Sequence, residues 1–163
     1  LWINYGKKKG AKLISPEDKG AGVRIDNVRY SSARDGKVEW ELNADYAVRG
    51  KGGDVVGLSG VRVVFFGAGG GSYRMAAEKA DLNRSTGDIR AAGSVTVQTE
   101  RGEKLRTDEL EYSTEAREIK APGRIEASTK TMDVEGVGLS VDIDNETLSI
   151  YRDVRAVLRA GVQ

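Results

Sequence analysis

An all-β fold is predicted by three features of the sequence. From Val23 onward, Val, Ile, Thr and Tyr alternate with charged residues, the period of a half-buried strand. Only two prolines occur in 163 residues, so little interrupts such strands. A set of apolar and small positions also recurs four times with fixed internal offsets, the mark of a repeat-built fold. No segment shows an amphipathic helical period. The expected architecture is an open twisted β-jellyroll, a two-sheet antiparallel stack built from four repeated bent hairpins.

Residues 1–22 carry Gly, Lys, Ser and Pro without a period and read as a flexible lead-in. Their start, "LWINYGKKKG", fits a short disordered beginning or the stub of a removed hydrophobic anchor. A single domain is expected over 23–163. Strands around Ile25, Val28 and Tyr30 open it.

The repeated units follow. The first places Leu42, Ala44, Ala47 and Arg49 on one arm, and Val56, Leu58, Gly60, Arg62 and Val64 on the other. The second has Met75, Ala77, Ala80 and Leu82, then Ile89, Ala91, Gly93, Val95 and Val97. The third has Leu105, Thr107, Leu110 and Tyr112, then Ile119, Ala121, Gly123, Ile125 and Ala127. The fourth has Val134, Gly136, Leu139 and Val141, then Leu148, Ile150, Arg152, Val154 and Ala156. Steps of two keep one face of a strand. The step of three, as from Ala77 to Ala80, keeps that face only across a bulge or bend. The longest step, Leu82 to Ile89, spans the turn residues Asn83 to Asp88.

Such a hairpin cannot hide its apolar face alone, so units are expected to stack. Many inward positions are small, among them Ala44, Ala77, Ala80, Ala91 and Ala121. Aromatic residues make up only 6% of the chain. Sheets about 10 Å apart need large side chains between them. Either the sheets approach closely or they leave an apolar groove that suits acyl chains. The edges of the stack, Ile25, Val28 and Tyr30 at one end and Leu148, Ile150, Val154 and Val157 at the other, suit pairing with another chain. Arg152 and Arg155 are the residues that would blunt the second edge.

Composition narrows the chemistry. There is no Cys and no His, which removes disulfides, thiolate metal sites and the commonest general base. The charge is balanced, 26 basic against 25 acidic residues, and makes no case for nucleic acid. Asp81 and Glu111 are equivalent in the repeat and could pair for glycoside hydrolysis. Charges beside apolar positions are more simply the outer faces of strands. "GAGGGS" lacks the Lys and the helix of a phosphate loop and reads as a connector. "DVEGVGLSVDID" lacks calcium-loop spacing. No enzyme, cofactor or metal is expected.

The stretches "YRMAAEKADLNRSTGDIRAAGSVTVQT" and "KLRTDELEYSTEAREIKAPGRIEAST" resemble the lipopolysaccharide-export proteins of Gram-negative bacteria, most closely the LptC family. The marks are Tyr73 opening the strand, Lys79 to Asp81, a polar turn, and a hydrophobic-x-x-x-Gly-x-Val-x-Val pattern ending at Val97. The likeness covers roughly residues 23–158. The soluble bridge-protein family, LptA, shares these repeats and is the alternative, beside a structural β-stack that binds no lipid. Where some members carry a glycine before the last unit, this chain has "STKTMD", so no role is carried to that connector.

The resemblance implies a periplasmic domain held at the inner membrane by an N-terminal helix not present in this chain. Three lysines on the periplasmic side of that helix run against the positive-inside tendency. It implies lipopolysaccharide as ligand, with acyl chains against Leu42, Ala44, Leu58, Met75, Ala77, Ala80, Leu82, Ile89, Ala91, Val95, Leu105, Leu110, Tyr112, Ile119, Ala121 and Ile125. The N-terminal edge would dock on the inner-membrane ABC transporter complex. The C-terminal edge would pair with the soluble periplasmic bridge protein, and edge pairing also leaves a homo-oligomer open.

Overall fold

A computed structural model describes residues 2–3, 23–49 and 53–159. The expected lead-in and anchor stub therefore lie almost wholly outside the described residues. The strands are β1 (Trp2–Ile3), β2 (Val23–Arg34), β3 (Lys37–Arg49), β4 (Val55–Phe66), β5 (Ser72–Asn83), β6 (Ile89–Thr99), β7 (Lys104–Ser113), β8 (Glu118–Ser128), β9 (Met132–Asp142) and β10 (Thr147–Leu158). They form one antiparallel sheet in sequence order. No helix occurs among the described residues. The fold is all-β, as predicted.

Turn chemistry sets the register. Asp35 and Gly36 both take positive φ, 53° and 79°, the two-residue hairpin turn that matches strand twist. In the β5–β6 turn, the Asn83 side-chain oxygen accepts hydrogen bonds from the amides of Ser85 and Thr86 and from the Ser85 hydroxyl.

The step of three behaves as expected on β5 and β7. Met75, Ala77, Ala80 and Leu82 are all buried, as are Leu105, Thr107, Leu110 and Tyr112. The pairing registers slip by one residue between Ala76 and Lys79 and again between Thr107 and Glu111. Those slips let one face stay inward across the bend. On β6 the bend falls at Gly93 (φ 87°) and Ser94 (φ 46°). A Cβ on Gly93 would stand 2.7 Å from the Glu78 carboxylate oxygen, so glycine suits the site twice over.

β4 departs from the expected pattern. Gly60 takes φ 65°, parity reverses there, and Val61, Val63 and Phe65 are buried in place of Arg62 and Val64. Arg62 turns outward, 3.4 Å from Asp45. The structure does not set four hairpins apart. Pairing between the first and second units, from Val55 with Asn83 to Phe66 with Ser72, runs as far as pairing within them.

The sheet rolls up on itself. β4 has 12 residues, and that many extended residues span about 40 Å. Phe66 ends β4 on one rim, whereas Arg117 sits in the β7–β8 turn on the opposite rim. Arg117 nevertheless donates to the Phe66 carbonyl. The two rims can meet only if the bent strands carry the sheet round to face itself. A single apolar core fills the roll.

Candidate lipid-binding interior and pairing edges

Every interior residue assigned to acyl chains, from Leu42 to Ile125, is buried on the inner face. The interior is uneven along its length. In the middle it is filled. Trp40, Phe65, Tyr112, Leu42 and Leu82 have less than 2% of their surface exposed. The Phe65 and Tyr112 rings lie 4.6 Å apart, tilted by 43°. Aromatic contacts of this kind add to plain area burial.

Toward β10 the roll opens into a cavity of about 330 Å³. Its walls are Tyr73, Val97, Leu105, Ile119, Met132, Leu139, Leu148 and Ile150, and its lip carries Glu100, Arg101, Glu103, Lys104 and Glu146. That volume sits at the small end of ligand sites, with apolar walls and a charged lip. Of the assigned interior residues, only Leu105 and Ile119 reach it. Leu148 and Ile150, assigned to the edge, also line it. Val97 held a repeat position that marked it as inward. Met132 opens β9, although the sequence reads it as part of the connector before the last unit, and no signal there pointed to it.

A polar seam closes the middle of the roll. Arg117 donates to the main-chain carbonyls of Glu39 (3.4 Å) and Phe66 and to the Tyr112 hydroxyl (3.1 Å). Its Nη2 and Nε reach the two Asp144 oxygens at 2.9 and 3.3 Å. Asp144 also accepts from the Ala68 amide at 3.0 Å. Arg34 stands 3.5 Å from Glu39 and bonds the Thr114 carbonyl. Glu39 is the extra residue where β2–β3 pairing slips, which explains why it and Trp40 are both buried. The hydrogen bond from Arg117 holds the Asp144 carboxyl below the usual carboxylate range. Burial opposes the charge on Arg117, but bonds to Asp144 and Tyr112 outweigh it and raise its pKa. Burial pushes the Tyr112 hydroxyl up, against the pull of Arg117.

A family model described as lipopolysaccharide-assembly, LptC-related, matches residues 8–159. The chain belongs to this family. No individual protein of curated function matches it significantly. Membership in the LptC-related family makes lipopolysaccharide transport the protein's process and places it with the components of the periplasmic bridge. Of the two related families that the repeats left open, the match is to the LptC-related one.

The two edges of the sheet differ in what they present. β10 pairs with β9 alone among the described strands. It presents Leu148, Val154 and Val157 at 49%, 55% and 56% exposure, together with Leu158. Arg152 and Arg155 are exposed on the same strand and leave these apolar residues uncovered. The other end differs. Ile25, Val28 and Tyr30 are buried in the core, so β2 offers a partner its backbone rather than those side chains. β1 pairs with β2 only at Ala33 and Ser32.

Asp81 and Glu111 lie exposed on the outer face, and Glu111 stands 3.4 Å from Arg90. Among the described residues, no group of three or more His, Cys, Asp or Glu is placed to hold a metal. No described helix is long and apolar enough to cross a membrane.

Proposed function

We propose that this protein binds lipopolysaccharide by its acyl chains in the roll's interior and hands it on toward the soluble bridge protein. The observation that carries this reading is the apolar cavity with a charged lip, open beside the exposed apolar edge strand β10. Leu148 and Ile150 belong to both, so a partner paired on β10 would continue the cavity wall into its own interior. The transporter complex docks at the β2 edge, and the domain over 23–163 stands in the periplasm, held at the inner membrane by a segment upstream.

Burying acyl chain stabilises the complex by roughly 0.8 kcal/mol per methylene. Along the small-residue stretch of Ala77, Ala80, Ala91 and Ala121 that term changes little from site to site, which favours sliding over retention. The protein needs no catalytic group, since ATP hydrolysis by the transporter supplies the work.

A photo-reactive residue in place of Leu105 or Ile119 tests the reading. Irradiation in the presence of lipopolysaccharide should join the two. Absence of capture there and at Ala77 and Ala121 would leave the filled middle, with Trp40, Phe65 and Tyr112, as the mark of a purely structural stack.

A further inference from the structure

A lipid with its chains inside the roll and its polar head in water needs the two rims apart along its whole path. A large polar head cannot cross the apolar interior. At the cavity the rims are tied only loosely: exposed Arg101 in the β6–β7 turn stands 3.9 Å from Glu146 in the β9–β10 turn on the other rim. At the seam they are tied. Arg117, with only 12% of its side chain exposed, ties the β7–β8 turn to the Glu39 and Phe66 carbonyls on the opposite rim, and Asp144, its partner in the β9–β10 turn of the same rim, accepts across the gap from the Ala68 amide.

We propose that the Arg117–Asp144 seam is a latch on the roll, closed here, whose parting opens a continuous slot for an amphiphile's head group. The proposal rests on the reading of the interior as a lipid path.

Three observations make the seam a latch rather than a fixed weld. Among the described residues no strand pairing crosses it, because every described strand pairs only with its neighbours in sequence. Parting the rims therefore breaks side-chain bonds and leaves every ladder whole. The closed state is also imperfect: Glu39 Oε1 is buried there without a hydrogen-bond partner. Finally, the seam holds the plug beneath it. Arg117 bonds the Tyr112 hydroxyl, and the carbonyl it takes from Phe66 adjoins Phe65, whose ring packs on Tyr112. Release of Arg117 frees both walls of the filled middle at once.

The chain has no Cys, so an introduced pair makes a single defined disulfide. Ala68→Cys with Asp144→Cys bridges the seam, where the Ala68 amide and the Asp144 carboxylate are 3.0 Å apart. Oxidised, this variant is locked; reduced, it lacks the Asp144 half of the latch. Photo-reactive residues at Val63, beneath the seam, and at Ala127, beside the cavity, report capture of purified lipopolysaccharide. The reduced form should capture at both sites. The oxidised form should keep capture at Ala127 and lose it at Val63. Equal capture at Val63 in both forms would overturn the latch and leave the lipid path standing. No capture at either site in either form would overturn the lipid path and the latch with it. Asp144→Asn, without the disulfide, should raise capture at Val63 above that of the unaltered chain, and an unchanged level would count against the latch.

Discussion

The middle of the roll and its β10 end are built from the same repeat offsets, yet they differ in almost every physical property. In the middle, Leu42, Leu82 and Tyr112 are sealed beneath aromatic rings and a buried arginine. At the end, Leu148 and Val154 are about half exposed, whereas their repeat equivalents Ile89 and Val95 are buried, and a cavity takes the place of the rings. What decides the outcome is what stands opposite. β4 faces β7 across the closed roll, where Phe65 packs on Tyr112, whereas β10 has a neighbour on one side only among the described strands. An apolar face without a facing layer is a surface for something else, and here it adjoins an open edge.

Truncating the middle should therefore cost far more than truncating the end. Phe65→Ala or Tyr112→Ala is expected to lose about 3–5 kcal/mol of stability by chemical denaturation. Leu148→Ala, at a half-exposed site, is expected to lose under about 0.5 kcal/mol. Comparable losses at both ends would erase the contrast.

The seam comes next. Arg117→Met leaves Asp144 without its cation and Glu39 with Arg34 alone. A loss of about 2 kcal/mol is expected, below the usual range for a broken buried pair because Asp144 is partly exposed to water.

Acid should act in the same direction. The folded Asp144 carboxyl is held below its ordinary value of 3.8, so its contribution is complete above that pH. It is lost as the pH falls below 3.8 through the lowered folded value. Thermal melts of the parent and of Asp144→Asn should differ near neutrality and converge in acid. A gap that persists unchanged at low pH would show that Arg117 does not act through Asp144.

The smallest effect on the isolated fold is expected at the edge. Val154 lies where β9–β10 pairing slips, between Arg152 and Arg155. Val154→Pro should therefore change the melting of the isolated chain little, while abolishing pairing of β10 with the soluble bridge protein in a pull-down. Pairing that survives would remove β10 as the contact.

The bends and the inner face were legible because a step of three between alternating residues admits few physical solutions. β5 and β7 followed it residue by residue. β4 did not, because "GVRVVFF" offers apolar residues on both parities, and only the φ of Gly60 chooses between them. The fill of the middle was hidden for a related reason. Trp40 and Phe65 stand just outside the repeat window that ran from Leu42 to Val64, so the interior read as smaller than it is. The seam was not legible at all. Arg117 and Asp144 sit in polar turns, where a buried ion pair looks like any solvated charge. One partner of Arg117 is the carbonyl of Phe66, which no side-chain pattern records.

The account's central claim is that the inner face, and not the outer one, carries lipid at the β10 end. Adjacent positions on β7 test it most directly, since Leu105 points into the cavity and Arg106 points out. With a photo-reactive residue at each in turn, lipopolysaccharide should be captured at Leu105 and not at Arg106. Capture at Arg106 alone, or equally at both, would contradict an interior path.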